Sequence, residues 1–199
     1  GSGQLENVTC EDAAEGNFCT RPRIGASASC VRHTVGIDMK WSHDTLWEKA
    51  KLYMLRAFCE DRTGPLFPFW AILGFEFLAR SAVARVHPAL LAEPQSGDNL
   101  LYACGIGQPK RPRSVPMKTV LQRCVSIVPN FLESDFETAM GLIELRNDEL
   151  HTGEPAFEEF PSHLWLPEFF RLRELLLAWL GLALEDLIGQ KEAQVAQQI

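Results

Sequence analysis

Residues 132–151 read LESDFETAMGLIELRNDELH. Leu132, Phe136, Ala139, Ile143 and Leu150 recur at helical spacing, and the step missing from that seam falls on Arg146. A helix with this period turns the seam toward a partner element. An arginine stands there in place of an apolar residue, and a cation aimed at an interior must be paired or line a wet cleft. Asn147 and His151 are four apart, so they share one face a turn from each other. Gly153 and Pro155 then break the helix. The stretch predicts a core helix that ends in an arginine, an amide and an imidazole. Those groups suit the holding and cleavage of a phosphodiester. Cations in a last turn also suit the helix dipole, so the spacing alone leaves a purely structural reading open.

The rest of the chain is read the same way. Leu46, Trp47, Ala50, Tyr53, Met54, Ala57 and Phe58 predict a first helix from about Ser42 to Asp61, with Ser42 or Asp44 as N-cap. A second runs from about Phe67 to Val86, apolar all round at its start and therefore central. Glu76 is the one charge between Pro65 and Ala79. A lone glutamate there needs a cation: Arg80, four residues on, or Arg146 from the later helix. A third helix spans about Pro116 to Val128, the fourth is the 132–151 stretch, and a fifth runs from Pro161–Trp165 to about Ile188. No strand-like alternation and no repeat is present. The expected fold is all-α, a bundle of about five helices over residues 37–188. An irregular arm (1–36) and a polar, frayed tail (189–199) flank it. Gly1-Ser2-Gly3 reads as the remnant of an expression tag.

A long connection, Pro88 to Pro116, joins the second and third helices, with one helical turn near Asn99 to Cys104. Loops of this length in a compact domain are functional or mobile. It carries Lys110-Arg111-Pro112-Arg113, three cations in four residues. They read as a solvated loop tip or as a phosphate-contacting hook.

Composition narrows the classes. The 199 residues are 46% hydrophobic, enough for one packed domain, and 19 basic against 26 acidic residues leave a formal charge of −7. That excludes a broad nucleic-acid coat while leaving room for a local basic cleft. The apolar uncharged runs Gly64–Phe75 and Leu175–Leu184 fall well short of the roughly 20 residues of a spanning helix, and no basic-then-apolar leader is present. Six cysteines without a CxxC pair predict free thiols in a reducing cytoplasm. Cys10, Cys19, Cys30 and His33 make a poorly spaced zinc set, and no metal or other cofactor is expected. Asn7-Val8-Thr9 is a glycosylation sequon, which matters only for a secreted chain.

A helical bundle whose fourth helix ends in Arg146-Asn147-Asp148-Glu149-Leu150-His151 resembles the HEPN superfamily. That family's signature is Arg, four to six residues, then His, often with Asn directly after the Arg, and an acidic residue in an earlier core helix, here Glu76. The resemblance covers roughly residues 40–188 and leaves the arm and the long loop unexplained. It implies a metal-independent endoribonuclease that works as a homodimer with two motifs facing each other. It also implies 2′,3′-cyclic phosphate and 5′-hydroxyl ends and a place in antiviral defence or a toxin–antitoxin system, with an antitoxin or sensor protein as partner. His151 would move the proton, Arg146 would stabilise the phosphorane charge, Asn147 would orient His151 or a phosphate oxygen, and Glu76 would hold Arg146. Arg80, Lys110, Arg111 and Arg113 would contact RNA. The same family includes members without catalysis, so the alternative is an inactive module that binds nucleotide, RNA or a partner protein.

Overall fold

The computed structural model describes residues 40–153, 155–158 and 160–196. The arm at 1–36, with the Cys10, Cys19, Cys30 and His33 set and the sequon, lies outside the described residues. α1 is His43–Phe58, α2 is Leu66–Val86, and a 3-10 turn follows at Pro88–Leu91. α3 is Gly97–Ala103, α4 Met117–Ile127, α5 Glu133–His151, α6 Ser162–Leu180, α7 Leu184–Ile188 and α8 Gln190–Ala196. The described residues hold no strand; Ala92 and Ser114 form one isolated antiparallel bridge. The all-α bundle is as expected, with shorter helices added in the long connection and at the end.

α2 is the central helix. Phe67, Ala71, Ile72, Phe75, Leu78, Ala79, Ala82 and Val83 are all buried. It has the length and mean hydropathy (1.4) of a bilayer-spanning helix, and 67% of that window is buried inside the bundle. α1 lies close against it because Gly74 has no side chain. A Cβ at Gly74 would stand 3.0 Å from Met54 Cγ and 3.1 Å from its backbone nitrogen. α1 begins where Ser42 Oγ accepts from the Thr45 N–H, an N-cap as the sequence predicts. Ser81, fully buried on α2, bonds His43 Nδ1 at 2.8 Å and fastens that end of α1.

α5 and α6 close the other side. Ala139, Leu142 and Ile143 of α5 are buried, but Leu132 and Leu150 are 61% and 49% exposed. The seam therefore runs only through the middle of the helix, and its two ends project past their partners. Asp135, 1% exposed, accepts from the Leu132 N–H and pairs with Arg171 of α6. α6 buries Trp165, Phe169, Leu172 and Leu176, with Arg173 among them. It ends at Gly181 in a left-handed conformation (φ 70°). The residues read as a frayed tail instead continue as α8. There Ala193 is fully buried and Glu192 pairs with Arg62 at 2.7 Å.

Candidate functional site

α5 delivers Arg146 to α2, where its Nη2 donates to Glu76 Oε1. The two side chains are 15% and 11% exposed. Of the two cations open to Glu76 in the sequence, Arg146 makes the contact. Spacing explains the choice. Arg146 stands at the core-facing position of α5 where the apolar seam skips, so its guanidinium enters the α2–α5 seam directly. Arg146 Nε is buried without a hydrogen-bond partner, so one donor of the planar fork is unspent.

Arg80 turns elsewhere. Its Nη1 donates to Ser114 Oγ at 3.4 Å and to the Val115 carbonyl at 3.3 Å. Burial holds its pKa below the usual arginine value, and Glu76 partly offsets the shift. Arg80 thus has a structural contact: the residue is half-buried and anchors the end of the long connection. That connection is also fastened elsewhere. The Val115 N–H donates to the Leu91 carbonyl at 2.9 Å, and the Glu93 N–H to the Arg113 carbonyl at 3.0 Å. Buried Asn99 accepts from the Arg113 N–H at 2.9 Å and donates to the Glu93 carbonyl at 3.3 Å. The base of the loop is stapled. Lys110 and Arg111 are exposed beyond the staple, and Arg113, whose backbone is part of it, is exposed as well.

His151 is exposed, Asn147 is half-exposed, and neither hydrogen-bonds another described residue. The helix stops after His151 because Thr152 is extended and turns its N–H (2.9 Å) and Oγ1 (2.7 Å) onto the Asp148 carbonyl. At 100° per residue Asn147 lies 100° and His151 140° around α5 from Arg146. The three groups share one helix end but do not converge on one point in a single chain.

The direction of α5 across α2 can be fixed. Arg146 meets Glu76. One turn later Glu149 accepts from the Phe157 N–H at 3.4 Å, and Phe157 lines a 430 Å³ pocket with Thr63, Gly64 and Pro68. α5 therefore runs antiparallel to α2, and His151 lies toward the start of α2.

Arg173 was missed by the sequence reading. It is 1% exposed, its Nε and Nη1 have no partner, and its guanidinium sits 4.5 Å from the Phe170 ring centroid. Burial pushes its pKa down to about 10, with exposed Glu174 pulling the other way. The signal was Phe170 three residues earlier on the same face. The described residues hold no cluster of His, Cys, Asp or Glu able to bind a metal. Buried Cys124, its thiol pushed up to about 12 by burial, is a core residue. No family model, no curated protein and no solved structure matches the chain.

Proposed function

We propose that the chain is a metal-independent endoribonuclease of HEPN type. On this reading it acts as a homodimer in the cytoplasm, in antiviral defence or a toxin–antitoxin system, under the control of an antitoxin or sensor protein. The observation that carries the reading is the withdrawn Glu76–Arg146 pair on the same helix end as half-exposed Asn147 and exposed His151. Glu76 fixes Arg146 through Nη2, and a fixed planar guanidinium is what a developing phosphorane charge requires. His151, open to solvent, is free to take the 2′-hydroxyl proton or return one to the leaving 5′-oxygen. Exposed Leu150, between them on the helix, supports an apolar contact with a second copy.

A second reading has its own observation. His151 has no orienting partner among the described residues, which favours a catalytically silent module that binds RNA, nucleotide or protein. One assay separates the two. Total RNA is incubated in EDTA with wild type, His151→Ala and Arg146→Ala, and product ends are examined. Cyclic phosphate ends made by wild type alone support the enzyme. RNA binding without cleavage by wild type supports the module. Mixing the two inactive variants tests the dimer: if each site takes Arg146 from one copy and His151 from the other, about a quarter of the activity returns on statistical pairing.

A further inference from the structure

α2 carries a strip that packs against the core on its inner side and leaves part of its aromatic surface open to solvent. Phe69, Trp70, Leu73 and Phe77 are half-exposed, although every helix turn around them is buried. At 100° per residue these four and Arg80 fall within one arc of α2. One edge of the arc is Glu76, which meets Arg146 of α5; the other is Gly74, which meets Met54 of α1. The strip is thus the floor between α5 and α1. Along it three rings lie nearly parallel. Tyr53 of α1 stacks on Phe77 (centroids 5.3 Å, planes 19° apart) and on Trp70 (5.7 Å, 6°). The ammonium of exposed Lys49 lies over the Phe77 ring, 5.1 Å from the centroid. Among the described residues no carboxylate pairs with Lys49.

We propose that this strip binds the unpaired bases of single-stranded RNA. Phe77 is the stacking position beside Arg146, and Lys49 is the phosphate partner of the stacked nucleotide. The inference rests on the ribonuclease reading. Four observations carry it. The strip is aromatic where a plain packing surface would be served by aliphatic side chains, and aromatic faces bind bases of any identity. The half-exposed Phe77 ring carries a solvated cation on a flexible stem, which a base can displace. Displaced, Lys49 stays within reach of that nucleotide's phosphate. Glu76 and Phe77 are consecutive on α2 and leave it about 100° apart, so the strip borders the Glu76–Arg146 pair on its α5 edge. From Phe77 through Tyr53 to Trp70 the row runs toward the start of α2, the same direction in which α5 runs from Arg146 to His151. Stacking demands unpaired bases, because in a duplex the faces are already taken.

The test uses the full chain, a short single-stranded oligouridine, and the same strand annealed to its complement. Binding is read by fluorescence anisotropy and turnover by cleavage kinetics. Phe77→Leu keeps an apolar side chain and removes the π-face. It should weaken oligouridine binding roughly 5- to 150-fold and raise KM more than it lowers kcat. Phe77→Trp should bind at least as well as wild type. Lys49→Gln should reduce the salt slope of binding by about 0.7. The duplex should bind weakly and respond to neither ring change. Cleavage by wild type with unchanged oligouridine affinity in Phe77→Leu overturns the stacking role and leaves the ribonuclease reading intact. Absence of both cleavage and RNA binding in wild type overturns both. A Phe77→Leu loss that disappears once dimerisation is saturated shows that the strip is a contact between copies and overturns the proposal as well.

Discussion

Glu76→Gln changes almost nothing but a charge, which makes it the sharpest probe of the α2–α5 seam. In the wild type Glu76 and Arg146 side chains are 11% and 15% exposed and paired, and Arg80 stands one turn further along α2. The amide leaves the Arg146 cation withdrawn from water without its counter-ion and near a second cation. Breaking a buried pair by removing one partner costs about 3–5 kcal/mol, and the retained amide acceptor puts this case near 3. At roughly 2–4 °C per kcal/mol for a chain of this size, the melting midpoint should fall by about 6–12 °C. Arg146→Leu alone should destabilise similarly by stranding Glu76. The double variant Glu76→Met with Arg146→Leu should return to within about 1 kcal/mol of wild type, because the seam between Phe75 and Ile143 accepts apolar atoms. Urea unfolding followed by far-ultraviolet circular dichroism measures all three. The double variant should be folded and inert toward RNA, separating the pair's role in stability from its role in chemistry. A cost below about 0.5 kcal/mol for Glu76→Gln, or single effects that add within about 0.5 kcal/mol, would refute the pairing argument.

Three further outcomes follow from particular contacts. Gly74→Ala forces Met54 and the α1 backbone away from α2 and should cost about 1–3 kcal/mol in the same urea assay. Arg173→Met removes a buried cation with two unmade hydrogen bonds and should raise stability by about 1–3 kcal/mol; a loss of stability instead would mean that the Phe170 contact outweighs the burial cost. Neutralising Lys110, Arg111 and Arg113 together should lower the salt slope of RNA binding by roughly 0.7 for each phosphate the loop no longer holds, leaving the rate at saturation unchanged. An unaltered slope removes the loop from RNA binding.

The legible part of this chain is the part with period. The apolar stripes of α1, α2, α4 and the middle of α5 give the helices and the all-α class. The interruption of the α5 stripe at Arg146 requires a partner for that cation. What period does not carry is where a helix outruns its neighbours. Leu150 keeps the spacing yet is exposed, because the seam opposite it has ended. Nor does period carry partner choice. Arg80 stands in favourable i,i+4 register with Glu76, but it serves Ser114 and Val115 instead. The stapled base of the 88–116 connection depends on Asn99, a polar residue buried by tertiary contacts that a local reading places on the surface. α8 escaped for the opposite reason: its sequence is polar, and one buried alanine and the Arg62–Glu192 pair dock it.

The helix end itself argues for more than one chain on the proposed reading. Arg146 is held by Glu76 on the side of α5 that faces α2, and His151 emerges 140° away into solvent. A single phosphorus atom needs the guanidinium at its non-bridging oxygens and the imidazole at an apical oxygen, both within hydrogen-bond reach. One copy of α5 offers them in divergent directions, one rooted in the core and the other free. On the helix wheel the 49% exposed Leu150 falls 40° from Arg146, between it and His151. An apolar side chain in that place gives a second copy something to cover. On the proposed reading, covering it in a two-fold contact would set each copy's exposed imidazole over the other's anchored arginine. That contact would bury the surplus leucine and complete the phosphate site, so one surface would serve both assembly and chemistry.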